Sequence, residues 1–291
     1  MNIKKISGIA AGVALALSIA APAQAAVTLT SGNYKITFNA FDAGTVGYGN
    51  TAGTKCTNVL ACDAIPSAAN KAPNGFGPSE DTWGIFSVQS ITNLTTGQAL
   101  FTQTAGNYLT GMFGGLKDTL VSVSVDPFGA TTSIGSTGGW LNMYYNTNDY
   151  NASFGPAGRT GEKMYTGITG GTLALSADFN QSPLAGSTDY SYFSSYNNTT
   201  LAGSSQGFLD ITGGSLGAQL DSDAQPDPNG RMHDLFLKAT FGRTRVAQYG
   251  WTVDATGDVQ GAVDVPEPGS LALLGLGFAG LAGLRRRRAA K

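Results

Sequence analysis

The sequence predicts an all-β fold, a single β-sandwich of jelly-roll type over residues 26–264, flanked by an N-terminal signal helix and a C-terminal transmembrane helix. Apolar and polar residues alternate with period two in several segments, which indicates half-buried strands. Glycine accounts for 41 of 291 residues, and Ser, Thr and Asn are abundant, as is typical of strands joined by many turns. Long amphipathic helical patterns are absent from the central region, and 10% aromatic residues are too many for a disordered chain.

Five segments carry the strand pattern most clearly, and a glycine phrase recurs between them. The predicted strands are Tyr34–Phe41, Asp81–Ile91, Leu120–Val125, Leu235–Phe241 and Trp251–Val253. The phrase Thr-Gly-Gly-x-Leu occurs at Thr137–Leu141, Thr169–Leu173 and Thr212–Leu216. We interpret each copy as a glycine turn that leads into a strand, a spacing that suits a jelly-roll sandwich. The stretch Asp42–Ser79 is rich in Gly, Ala, Asn and Pro and is predicted to be a long surface loop.

The N-terminus has the features of a secretory signal peptide, residues 1–25. Lys4 and Lys5 precede an apolar stretch, Ile6–Ala21, and Ala23 and Ala25 form the small-x-small site that signal peptidase accepts. The apolar stretch would be a helix of about 24 Å, which is short for a permanent membrane span. We therefore expect cleavage after residue 25; the alternative is an uncleaved anchor.

The C-terminus, residues 265–291, has a different and more specific pattern. A Val-Pro-Glu-Pro motif at 265–268 contains Pro266, Glu267 and Pro268, and an apolar run follows at 269–284. The basic tail, 285–291, begins with the cluster Arg285, Arg286, Arg287 and Arg288. Cationic flanks stay on the cytoplasmic side of a membrane. The tail therefore predicts a transmembrane helix that holds the preceding chain on the outer face of the inner membrane.

These terminal residues resemble the PEP-CTERM sorting signal of exopolysaccharide-producing Gram-negative bacteria. The resemblance covers residues 265–291 and rests on Pro266, Glu267 and Pro268, the apolar helix and the arginine cluster, in that order. It implies that an exosortase, an intramembrane cysteine transpeptidase, recognises and removes the tail. The expected path is export, a transient inner-membrane anchor, and then the cell surface or the extracellular matrix.

Charge limits the partners of the exported part. The precursor has a net charge of −2, of which the two ends contribute +2 and +4, leaving −8 for residues 26–264. Nucleic acids and anionic membrane surfaces are therefore unfavourable partners. Extracellular polysaccharide, divalent cations or further copies of the chain fit better.

The two cysteines, Cys56 and Cys62, lie six residues apart in the predicted loop. Outside the cytoplasm such a pair is expected to oxidise to a disulfide. The alternative is a two-cysteine metal site, although no histidine is near. The loop is small, so the bridge would be a local staple contributing roughly 2 kcal/mol.

The residue types that catalysis requires are scarce. The single histidine, His233, is interpreted as a surface or turn residue. Two segments match G-x-S-x-G, Gly203–Gly207 and Gly213–Gly217, but neither precedes the helical pattern of a nucleophile elbow. Only Glu80 and Glu162 are glutamates in residues 26–264, and nothing in the sequence pairs them as glycosidase carboxylates. We therefore predict that the protein is not an enzyme.

One acidic loop could bind a cation. Asp221, Asp223, Asp227 and Asn229 alternate as oxygen donors before a turning glycine, a pattern that suits calcium. The spacing is not that of an EF-hand, because Met232 stands where the bidentate glutamate would be. The alternative is a solvated acidic loop without an ion; no other cofactor is expected.

The function that these observations favour is a non-catalytic adhesive or structural component of the cell surface or matrix, associated with exopolysaccharide. The alternative is a secreted carbohydrate-binding or sugar-active hydrolytic protein. Exposure of Trp83, Trp140 or Trp251 on one sheet face would favour stacking on sugars. A cleft with two facing carboxylates would favour the hydrolase.

Overall fold

The computed structural model describes residues 26–44, 55–64, 72–77, 79–186, 188–243 and 246–263. The predicted signal peptide with Ala23 and Ala25, the sorting motif Pro266–Pro268 and the arginines at 285–288 lie outside the described residues. Within the described ranges, no helix is long and apolar enough to cross a membrane.

Strands make up most of the described chain, and the two α-helices in it are short. The strands are β1 Gly32–Gly44, β2 Lys55–Cys56, β3 Thr82–Asn93, β4 Ala99–Thr102, β5 Tyr108–Asp126, β6 Gly129–Asn146, β7 Arg159–Gly161, β8 Met164–Tyr165, β9 Thr172–Asn180, β10 Ser182–Ala185, β11 Thr188–Tyr190, β12 Tyr192–Asn197, β13 Ala202–Gly213, β14 Gln225–Pro226, β15 Met232–His233, β16 Leu235–Arg243 and β17 Val253–Val263. The helices are α1 Val59–Ala64 and α2 Gly217–Leu220, and 3₁₀ turns occupy Ala152–Phe154, Pro156–Gly158 and Ala247–Tyr249.

Eight of these strands close into an antiparallel barrel. The order is β6-β9-β13-β16-β17-β1-β3-β5, and β5 pairs back to β6. The short strand β12 also bridges β6 and β13, beyond the end of β9. The predicted β-sandwich is therefore wrong. Both folds are built from strands in which inward and outward residues alternate, so the alternation in the sequence does not distinguish them.

The closure depends on two long strands that bend in the middle. β5 has 19 residues and β6 has 18, longer than ordinary sandwich strands. Gly115, Gly138 and Gly139 have φ angles of 74°, 70° and 103° at the bend, where residues with a side chain would be strained. The Thr-Gly-Gly-x-Leu copy at 137–141 is thus a bend inside β6. The copy at 212–216 ends β13, so only the copy at 169–173 leads into a strand as predicted.

The first and last barrel strands are neighbours. β1 pairs with the whole of β17, from Gly32 opposite Val263 to Asp42 opposite Val253. The segment before β1 closes this end of the barrel, where Val27 and Leu29 are buried and Gln219 of α2 accepts a hydrogen bond from Leu29 N at 2.7 Å. The chain therefore enters and leaves the barrel at the same end.

The barrel lumen is filled largely by phenylalanine rings that lie on glycines of the adjacent strand. The directly opposed pairs are Phe38–Gly257, Phe86–Gly111, Phe113–Gly84 and Phe241–Gly203. A Cβ built on Gly84 would lie 2.6 Å from Phe113 Cζ. Glycine leaves the space that each ring occupies, which explains part of the glycine-rich composition.

A second apolar core lies outside the barrel wall, beneath the segments 72–77, 79–80 and 149–171. It contains Trp83, Trp140 and Trp251, together with Tyr165 and Ile168. The indole nitrogen of Trp83 donates to Pro73 O at 2.8 Å, and that of Trp251 donates to Ala152 O at 2.7 Å. These hydrogen bonds attach both covering segments to the barrel.

A buried ion pair holds the same cover in place. Arg159 Nη1 lies 2.6 Å from Glu80 Oε2, and both side chains are almost fully buried. The second guanidinium nitrogen donates to Glu80 Oε1 at 3.1 Å, and Gly115 N donates to the same oxygen at 2.6 Å. Glu80 therefore has a structural contact and does not face another carboxylate across a cleft.

Most of the sequence-predicted strands and the disulfide are confirmed. Four of the five predicted segments lie wholly or mostly in strands, and the observed strands are longer. Of the fifth, Trp251–Val253, only Val253 lies in a strand, because β17 begins there. Cys56 and Cys62 form a disulfide with a Cα–Cα distance of 5.1 Å, which links β2 to α1. The predicted loop 42–79 thus contains ordered elements in its described part.

We predict that Gly84→Ala lowers the free energy of unfolding by about 1–3 kcal/mol, because the new methyl group would force the Phe113 ring and the adjacent backbone apart. Gly170→Ala is the matched control, since nothing lies within 4 Å of the added Cβ and the position is exposed. Urea denaturation of both variants measures the difference. Equal stability of the two variants would contradict this account of the lumen.

Candidate functional site

The barrel lumen retains a cavity of about 60 Å³. Its lining is almost entirely aliphatic and aromatic; the polar side chains in it are Asp42, Tyr192 and Ser205. Lumen-facing Phe38 and Phe241 are only partly buried, so accessible space remains beside their rings. An apolar cavity with a few convergent polar groups is the usual form of a small-molecule site.

Asp42 is the most unusual group in this cavity. The residue as a whole is partly buried, but its Oδ1 atom is inaccessible and accepts no hydrogen bond. Burial, and secondarily the nearby carboxylate of Asp118, raises the pKa of Asp42 to about 7. Asp118 itself is buried on β5 and accepts a hydrogen bond from Ser136 Oγ at 2.8 Å. Asp42 therefore exchanges a proton with solvent near neutral pH.

Tyr192 and Ser205 face Asp42 from other strands. Burial, and secondarily the carboxylate of Asp42, raises the pKa of the Tyr192 phenol above its usual value. The Ser205 hydroxyl lies beside that of Tyr192, but its geometry gives the buried Oγ no hydrogen bond. Two buried oxygens in one cavity thus have unused hydrogen-bonding capacity, which is costly unless something else satisfies it.

The outer wall of the barrel carries two parallel grooves across β13, β16, β17 and β1. The first has a volume of about 640 Å³, and its floor is formed by Ser205, Ala239, Gly257 and Phe38. The second has a volume of about 570 Å³, and its floor is formed by Gly203, Phe241, Ala255 and Ala40. Both grooves cross the strands, and the outward-pointing residues form the ridges beside them.

The ridge between the grooves is built from one outward residue of each strand. Strand pairing places Ser204 opposite Thr240, Thr240 opposite Thr256, and Thr256 opposite Asn39. All four side chains are exposed, and Ser195 of β12 continues the row beyond Ser204. We call Ser204, Thr240, Thr256 and Asn39 the polar ridge. Neighbouring positions along it repeat at the strand spacing of about 4.8 Å.

The three tryptophans do not form a sugar-stacking platform. Trp83, Trp140 and Trp251 are 0%, 5% and 2% exposed, because the loops of the outer core cover them. Because these side chains are buried, they cannot stack on sugars at the protein surface.

His233 is buried, so the interpretation as a surface residue is wrong. Its Nδ1 lies 2.9 Å from Asp210 Oδ1, and its Nε2 lies 3.1 Å from Ser182 Oγ. This is the connectivity of a serine–histidine–aspartate triad. The three residues are far apart in the sequence and match no motif, so only the fold could bring them together.

The surroundings of this trio favour a structural role. Ser182 is 0% exposed, and a nucleophile must reach its substrate. His233 also packs against Phe208, with 5.0 Å between ring centroids, and Asp227 Oδ2 lies 3.9 Å from Nε2. Neither G-x-S-x-G segment forms a nucleophile elbow, because Gly203–Gly207 lies within β13 and Gly213–Gly217 leads into a single helical turn.

The predicted calcium ligands do not converge in the described structure. Asp227 Oδ2 pairs with Arg231 Nε at 2.7 Å, and Asp227 Oδ1 accepts hydrogen bonds from Asn229 N and Arg231 N. Asp221, Asp223 and Asn229 are exposed. Among the described residues, no cluster of three His, Cys, Asp or Glu side chains could hold a metal ion. Calcium binding stays a prediction that would require displacement of Arg231 or ligation by the exposed residues.

One family description matches the chain: the PEP-CTERM protein-sorting motif, over residues 264–288. No curated protein and no solved structure matches the chain. The chain therefore carries a PEP-CTERM sorting motif directly after its last barrel strand. The motif indicates an exported protein that is targeted to an exosortase, with signal peptidase processing and a C-terminal membrane anchor before the tail is removed.

We predict that Asp42 makes stability fall as pH rises. The folded state keeps the Asp42 proton up to a pKa of about 7, whereas the unfolded chain loses it near 3.8. As the pH rises from the lower to the higher of these values, the free energy of unfolding falls, in total by at most about 4 kcal/mol. Urea unfolding at pH 4.5 and pH 8 should show this loss in the wild type and not in Asp42→Asn. Exposed Asp126→Asn is the control, which should behave as the wild type.

We also predict that Ser182 does not react with a fluorophosphonate probe in the folded protein, because its side chain is inaccessible. Intact-mass measurement after incubation tests this. Labelling at Ser182 that disappears in His233→Ala would show an activated serine and would favour the hydrolase alternative.

Proposed function

We propose that the processed protein is a non-catalytic adhesive or structural component of the cell surface or extracellular matrix, and that its outer wall contacts exopolysaccharide. The sorting motif supports delivery across the inner membrane. The observation that carries the binding role is the polar ridge with a groove on either side. Its exposed hydroxyl and amide groups, repeated at a regular spacing, are the donors and acceptors that a chain of sugar hydroxyls can engage.

The composition of the grooves favours weak and repeated contacts. The ridge is uncharged, and the first groove carries charges of both signs: Lys35 pairs with Asp258 at 3.7 Å, and Lys238 lies opposite Asp258 on the next strand. Individual hydrogen bonds to exposed hydroxyls contribute little against water. Many copies displayed on one polymer or one cell surface would raise the overall avidity without any tighter contact.

A hydrolase is the second candidate, and the Ser182–His233–Asp210 connectivity is the observation that favours it. Burial of Ser182 ranks it below the binding role. The probe experiment on Ser182 separates the two.

The ridge can be tested with isosteric substitutions. We predict that Thr240→Val with Thr256→Val weakens co-sedimentation of the processed protein with host exopolysaccharide several-fold, because the hydroxyls are lost while the β-branched shape is retained. Thr172→Val, at an exposed strand position away from the ridge, is the matched control and should bind as the wild type. Wild-type binding by the double variant would remove the ridge from the proposal.

In cells, deletion of the gene should weaken aggregation or biofilm cohesion and leave growth on simple nutrients unchanged. The Thr240/Thr256 double variant should reproduce this loss at normal protein level. A normal matrix combined with loss of a hydrolytic activity would instead favour the hydrolase.

A further inference from the structure

We propose that the barrel lumen is a binding site for a small primary ammonium ion, which Asp42 and Ser205 hold by hydrogen bonds. This site lies inside the wall and does not rest on the proposed contact with polysaccharide outside it.

The unused hydrogen-bonding capacity of the lumen defines the polar end of the ligand. Asp42 Oδ1 is an acceptor without a partner, and Ser205, which is 5% exposed, has an unpartnered Oγ. Both side chains line the same cavity. The ligand must therefore donate hydrogen bonds, and an ammonium group carries three donors on one atom.

The charge of the lumen selects a cation over an anion. The carboxylate of Asp118 lies near that of Asp42, and the described residues that line the cavity include no Lys, Arg or His. Among these lining residues the other titratable group is the Tyr192 phenol, which its raised pKa keeps neutral. A carboxylate oxygen that is inaccessible to water and has no cationic partner is costly, and a bound ammonium ion supplies that partner.

The remaining lining defines the other end of the ligand. Phe38, Phe86, Phe113 and Phe241 surround the cavity with ring carbons that offer no polar contact. One buried water molecule requires about 10–15 Å³ of cavity volume. The cavity of about 60 Å³ therefore accommodates roughly four non-hydrogen atoms. A short alkyl chain on the ammonium group fits this space. Ligands of this size bind with dissociation constants no tighter than about 40 µM.

The pKa of Asp42 gives the site a pH dependence. The ammonium ion requires the ionised carboxylate, so its affinity should rise as pH increases through about 7. An alkylammonium ion keeps its charge across this pH range, so the change in affinity reports the ionisation of the Asp42 carboxyl group. Binding should in turn lower the pKa of Asp42.

The experiment uses the processed protein and three probes of similar size at 10 mM: propylammonium, 1-propanol and propionate. For a dissociation constant near 1 mM, propylammonium should raise the thermal midpoint by about 3–6 °C at pH 8 and by less at pH 6. Amide NMR shifts should centre on residues 42 and 205. Propanol should have a smaller effect, and propionate should have none.

Two variants locate the effect. Asp42→Asn should lose the response to propylammonium, whereas exposed Asp126→Asn should keep it. Ser205→Ala should weaken the response, and it serves as a second variant if Asp42→Asn does not fold. Equal responses to propanol and propylammonium, a response retained in Asp42→Asn, or no response to any probe would overturn the proposal. The last outcome would mean that the lumen holds only water. None of these outcomes bears on the polar ridge.

Discussion

Phenylalanine rings inside the barrel lie on glycines of the neighbouring strand, and the other features of the structure depend on these contacts. A closed barrel of eight strands leaves a narrow interior, which side chains must fill without forcing the strands apart. Opposing a large ring with a residue that has no side chain meets this requirement at Phe113 and Gly84, and again at Phe241 and Gly203. The rings fill most of the lumen, and Asp42 and Ser205 border the space that remains.

The same closure determines the outer surface. Because side chains alternate between the two sides of a strand, filling the lumen with residues such as Phe38 and Ala239 turns Asn39 and Thr240 outward. Antiparallel pairing then aligns the outward residues of four strands in rows. The polar ridge and its grooves are therefore a geometric result of the packing inside the wall. A shift of strand register by one residue would turn the lumen-facing residues outward and the ridge residues inward.

Alternation in segments such as 34–41 predicts parts of β1, β5 and β16, and the apolar segment 81–91 predicts β3, but β12 and β13 were not predicted. The disulfide followed from two cysteines six residues apart, and the sorting motif from contiguous residues. Barrel closure could not be predicted, because it depends on the pairing of β1 with β17, about 220 residues later. The polar ridge draws one residue from each of four strands, and the His233 trio joins three distant segments. The register of the strands brings the residues of such sites together, and their spacing in the sequence gives no sign of it.

The pairing of Gly32 with Val263 has a consequence for the removal of the tail. The sorting motif begins at the residue after β17, so the bond that exosortase cuts must lie close to the last residues that pair with β1. A cut before residue 263 would remove partners of β1, whereas a cut after it leaves the β1–β17 pairing whole. Release of the protein and closure of its barrel are therefore compatible only when the tail is cut beyond the strand.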